Sequence, residues 1–150
     1  MFRSLKVAAL TVSALAIGTA VAMSAGDPIA ARKAMMKNNG EAMKVVVPMI
    51  EGEMEYDPVK AAMAMRILNT AASGFTALFP DSSKTGGETE AAPAIWEKMT
   101  DFEAAGDKFA TDTAAAVAAA GGGLDSFKAA FGAAAGNCKA CHDVFRVKKG

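Results

Sequence analysis

From Leu124 onward, Phe127, Phe131, Ala134, Cys138, Cys141 and Phe145 follow one another at alternating steps of three and four residues. Side chains at that spacing line one face of an α-helix, whereas a strand would need a period of two. Three earlier stretches carry similar stripes: Ile95, Met99, Phe102, Gly106, Phe109, Thr113 and Val117; Met65, Leu68, Ala72, Phe75 and Phe79; and Ile29, Met36, Met43, Val47 and Ile50. Each stripe must find an apolar partner. Four helices of about 20–25 residues with mostly short connections do so best as an antiparallel four-helix bundle. The expected fold class is all-α, with no sheet.

Punctuation supports this division. Asp27-Pro28 and Asp57-Pro58 each pair an N-capping carboxylate with proline at the first helical position. Pro80 closes the second segment, Asp81 to Ala92 reads as a loop, Pro93 precedes the third helix, and Gly121-Gly122-Gly123 separates the third from the fourth. Pro48 falls inside the first stripe, so that helix is expected to kink or end near Val47. Alanine fills many of the inward positions and buries little area per residue. The core is therefore thin for its length, and a large apolar group held inside the bundle would make good the shortage.

The first 22 residues read as a separate segment. Arg3 and Lys6 precede an apolar run from Val7 to about Val21, and no charge follows until Asp27. A charged start, an apolar stretch and Ala20-Val21-Ala22 form a signal-peptide pattern, with the cleavage point anywhere up to residue 25. An exported bundle over residues 27–150, with no stable membrane insertion after cleavage, is the expectation. The chain carries 16 basic and 16 acidic residues. Losing Arg3 and Lys6 leaves 14 basic residues, so the mature chain is slightly acidic and has no basic face for nucleic acid.

Both cysteines and the only histidine lie within five residues, Cys138-Lys139-Ala140-Cys141-His142. This is the attachment signature of a c-type haem. On a helix, Cys138 and Cys141 stand about one turn apart, which suits thioether bonds to two vinyl groups on one haem edge. His142 follows directly and can bind the iron from the proximal side. A zinc site would need further Cys or His ligands, and the chain has none. A thioredoxin-like pair would follow a strand, and here a helical stripe precedes it. A disulfide across two residues closes too small a loop to stabilise much.

Cys138-Lys139-Ala140-Cys141-His142-Asp143-Val144-Phe145-Arg146, preceded by the other helical segments, resembles the class II c-type cytochromes, which include cytochrome c′ and the low-spin cytochrome c-556 type. The resemblance spans roughly Asp27 to Lys149. Ala31 to Gly40 looks like the opening motif of that family, and Ala94-Ile95-Trp96 like its third-helix start. It implies a periplasmic four-helix bundle with one covalent haem c, often a homodimer packed through the first two helices. Arg32 matches an arginine that lies near a haem propionate, although its position equally suits a solvated helix-end charge. Trp96 is expected near the haem, or filling a helix-end gap. Arg146, four residues after His142, shares that helix face and is expected to touch a propionate or the haem edge.

The second axial ligand decides the function. Ten methionines make no single one stand out by composition, and Met35, Met36 and Met43 all lie in the first helix. Aligning on Arg32 and Gly40, the resemblance puts Met36 at the distal position. His142 and Met36 together would give a six-coordinate haem and a one-electron carrier that docks transiently with redox partner proteins, not an enzyme. The alternative is a five-coordinate cytochrome c′-like protein that binds NO or CO. A peroxidase-like site would want a distal His or Arg, and no second histidine exists. Lys148 and Lys149 are either solvated charges or part of a docking surface.

Overall fold

The computed structural model describes residues 26–147. The expected signal segment, residues 1–22 with cleavage up to 25, and the lysines at 148 and 149 lie outside the described residues. Four long helices carry the fold: α1 (Pro28–Glu51), α2 (Pro58–Phe75), α4 (Met99–Ala119) and α5 (Leu124–Phe145), with a single-turn α3 (Ala94–Glu97) before α4. Among the described residues the only extended pairing is one isolated antiparallel bridge, Ala91 to Arg146. α1 packs on α2, α2 on α4 and α4 on α5, which is the antiparallel bundle that the stripes require.

The two Asp-Pro starts behave as the sequence suggests. Asp27 Oδ1 accepts from the Ile29 amide at 2.8 Å, and Asp57 Oδ1 from the Val59 and Lys60 amides at 2.9 and 3.0 Å. Each cap satisfies amides that the first turn leaves unpaired and stabilises its helix by about 1 kcal/mol.

Three expectations are corrected. Of the two outcomes expected at Pro48, a kink or an end, the ending is excluded: α1 does not stop near Val47 but runs on to Glu51. Pro48 sits in the last turn, where its missing N–H forfeits a single bond. Gly52, at φ 81°, then reverses the chain, and the amides of Glu53 and Met54 both donate to the Pro48 carbonyl, at 2.9 and 3.1 Å. The buried face of α1 is also rotated by about one residue, or 100°: Ala42, Val46 and Met49 are buried, while Val47 and Ile50 are half-buried. The third stripe is not one helix. Lys98 leaves helical geometry at φ −131° and ψ 47°, separating α3 from α4.

The core falls into two parts. One, at the end where α1 meets α2, joins Val46, Met49, Met65, Leu68, Phe127 and Phe131. The other is aromatic: Phe102 meets Phe79 edge-on at 4.8 Å and Phe145 at 5.1 Å, with Ile95 beside them. Such pairs add about 0.5–1.5 kcal/mol each beyond burial. The segment between α2 and α3 is tied to the end of α5 just before α3, as Ala92 donates to the Phe145 carbonyl and Val147 to that of Glu90. At Gly106 a Cβ would come within 2.7 Å of Thr76 Cγ2, so α4 passes close to the turn that follows α2.

Candidate functional site

Next to the aromatic core, all four long helices line a cavity of about 650 Å³, within the range of cofactor and ligand sites. From α5, Cys138, Cys141 and His142 all reach it. The spacing of the fourth stripe explains this: Phe131, Ala134 and Phe145 are buried on the same face, and the two cysteines between them are half-buried. Burial pushes both thiols up from their ordinary value. They are therefore not the activated thiolates of a redox pair. His142 is half-buried and held below its usual value, first by burial and then by the positive charge of Arg146, with Asp143 and Glu90 acting the other way. A neutral imidazole with a lone pair to give is the form that binds a metal.

α1 contributes a second wall. Met36 and Met43 both line the cavity, and Met35 does not. Met35 turns toward α2, with its methyl carbon beside Gly74, and borders a shallow groove with Asn38, Ile67 and Thr70. The structure thus narrows three candidate methionines to two.

Arg32, which the sequence left between a solvated charge and a haem contact, is 5% exposed. Its Nη2 donates to the Ser83 carbonyl at 3.2 Å, and its Cζ lies 4.4 Å from the centre of the Phe79 ring. Burial lowers its pKa, with Asp27 opposing, yet a guanidinium does not deprotonate in proteins. Nε and Nη1 are buried without a partner. A fixed buried cation with two unused donors on a cavity wall fits an anionic group.

Arg146 also lines the cavity, but its guanidinium is engaged by Glu90: Nε and Nη2 meet Oε2 at 2.6 and 2.5 Å. Trp96 does not line the cavity. It stands behind Phe79, edge-on at 5.9 Å, and its Nε1 donates to the Phe79 carbonyl at 3.0 Å. Three contributors were not singled out from sequence. In the sequence Phe79 is only a stripe residue, Asn39 stands only within the Ala31–Gly40 stretch, and Asn137 belongs to no motif. Asn137 is 9% exposed and donates to Asp112 Oδ2 at 2.7 Å, clamping α5 to α4 one residue before Cys138.

Two thiols one turn apart, an adjoining neutral imidazole, apolar walls and a buried cation with free donors match the vinyls, iron, ring and carboxylates of a haem. Residues 27–146 match the family described as cytochrome c′. The chain belongs to the cytochrome c′ family. It is 41% identical over 148 residues to a cytochrome c′ of Rhodopseudomonas palustris, covering 97% of this chain and 99% of that one. A solved structure of a mutant of the R. palustris cytochrome c′ superposes with a TM-score of 0.77 at 39% identity, covering 83% of this chain and 100% of the other. A cytochrome c-556 of Agrobacterium fabrum is 33% identical over 128 residues, 85% of this chain and 86% of that one. A ferrous variant of cytochrome c′ from Alcaligenes xylosoxidans with bound NO is similar at 28% identity and a TM-score of 0.74, covering 82% and 95%. As a cytochrome c′ family protein, the chain carries one covalently bound haem c.

Proposed function

We propose that this cytochrome is a periplasmic one-electron carrier, with its haem attached through Cys138 and Cys141 and its iron held by His142 and Met36. The observation that carries the reading is that Met36 and His142, on two different helices, line the same cavity. The haem supplies the redox change, between ferric and ferrous iron. The chain's own residues bind and tune it. Arg32 offers Nε and Nη1 to a propionate, and the Arg146–Glu90 pair borders the cavity without a free donor being required of it. A thioether ligand from Met36 is soft and raises the reduction potential. With His142 and Met36 both on the iron, no coordination position stays open for a substrate, so the reading is of a carrier and not an enzyme.

Export follows from the leader pattern at residues 1–22, and fractionation of the native host tests it: haem-loaded protein found in the cytoplasm counts against it. Among the described residues no helix is long and apolar enough to cross a membrane. Self-association through α1 and α2 is supported by Val59, Met63 and Ile67, which are exposed at successive turns of α2. Met63→Glu is expected to give a monomer in sedimentation; a wild type that is already monomeric at high concentration refutes the dimer.

A second reading, uptake of NO or CO at the iron, is favoured by the NO complex of the A. xylosoxidans relative. Haem-loaded Met36→Leu and Met43→Leu separate the two readings. Ligation by Met36 predicts that only the first becomes high-spin and takes up CO readily. If Met43→Leu does so instead, the ligand is Met43. A wild type that is high-spin and binds CO at once supports the second reading.

A further inference from the structure

We propose that Asn39 is the hydrogen-bonding residue on the Met36 side of the cavity, serving a diatomic iron ligand with a negatively polarised outer atom when Met36 is displaced. The inference rests on the reading of Met36 as an iron ligand. Asn39 is half-buried and lines the cavity. Its Oδ1 is buried with no hydrogen-bond partner. A buried amide oxygen left unpaired is destabilising, and folded proteins keep few such groups without a reason. Asn39 lies three residues after Met36 and four before Met43, so it sits about one helical turn from each on neighbouring parts of the same surface.

The exposed Lys33, Lys37 and Glu88 also line the cavity, and three of its other polar groups already have partners. Arg32 is two turns away, bonded to Ser83 and stacked on Phe79, and its spare donors suit a propionate. Asn137 is held by Asp112 and the Ala133 carbonyl. Arg146 is paired with Glu90. Asn39 alone brings an uncommitted carboxamide to the methionine wall. Rotation about its last side-chain bond exchanges oxygen for NH₂, so the same group can donate to a polarised ligand. Apolar neighbours such as Leu68 and Phe109 strengthen that bond by excluding water.

The test uses the haem-loaded protein with Met36→Ala, which opens the iron, alone and combined with Asn39→Leu or Asn39→Ala. Leucine is close to asparagine in shape and removes an unpaired buried amide, so folding should be retained. The probes are cyanide on the ferric form and CO on the ferrous form. Both double variants are expected to bind cyanide about 2- to 10-fold more weakly, the loss of one hydrogen bond, and to raise the C–O stretching frequency. Unchanged cyanide affinity and an unchanged C–O stretch in both variants overturn the role of Asn39 alone. A Met36→Ala protein that stays six-coordinate and refuses both probes overturns Met36 ligation, and the Asn39 assignment with it.

Discussion

The guanidinium of Arg32 lies over the ring of Phe79, 4.4 Å from its centre, and donates to the carbonyl of Ser83 across a sequence gap of 51 residues. Three separate parts of the chain are thereby joined at one edge of the cavity: α1, the turn after α2, and the loop that leads to α3. The stack and the carbonyl bond hold the planar group so that Nε and Nη1 remain free for an anion.

Arg32→Gln should therefore lower the stability of the haem-loaded protein by about 1.5–3 kcal/mol, the range for a hydrogen bond to a charged group. Arg32→Lys should rescue little of this, because an ammonium neither stacks on Phe79 nor makes a bidentate contact. Thermal unfolding of the ferric protein is the measurement. Full rescue by lysine would show that only charge matters at this position.

Trp96 is a buttress one layer behind the cavity wall. Trp96→Phe removes the bond to the Phe79 carbonyl and should destabilise the fold by about 0.5–1.5 kcal/mol. The haem absorption spectrum should stay the same. A shifted spectrum with unchanged stability would mean that the indole touches the haem after all.

Asp112 ties Lys108 and Asn137 together on the α4–α5 seam. Its carboxyl is held below its usual value, first by the hydrogen bond from Lys108 and then by that from Asn137. A depressed folded-state pKa stabilises the protein above the unfolded value, about 3.9 for aspartate, and the contribution is lost as pH falls through the folded value. Asp112→Asn should therefore unfold with a shallower acid dependence below about pH 4. Melting temperature followed against pH checks this, and an acid limb identical to wild type would remove Asp112 from the account of that seam.

Much of this arrangement was legible in the residues. The fourth stripe carries its own period and the Cys138–His142 motif, so both helix and attachment chemistry follow from spacing. Asp27 and Asp57 cap as short-range rules require. The misread parts depend on long-range packing. A methionine or valine on α1 cannot declare its neighbour, so Val47 and Ile50 looked as inward as Val46 and Met49. Pro48 breaks a helix only if there is more helix to break, and here Gly52 ends it directly after Glu51, four residues past Pro48. Arg32 stands out through its likeness to a propionate-binding arginine, but Asn39 looks like an ordinary polar residue in a basic stretch; only the burial of its Oδ1 without a partner marks it as part of the site. Trp96 stood open between the haem and a helix-end gap, and it lies behind Phe79 and outside the cavity lining.

Ligation by both His142 and Met36 is tested most directly by the absorption spectrum of the purified, haem-loaded wild-type protein, recorded ferric, ferrous, and ferrous under CO. Six-coordinate ligation predicts sharp low-spin bands, a weak far-red ferric band from the sulfur–iron bond, and little response to CO. A broad high-spin spectrum that changes as soon as CO is admitted would contradict it.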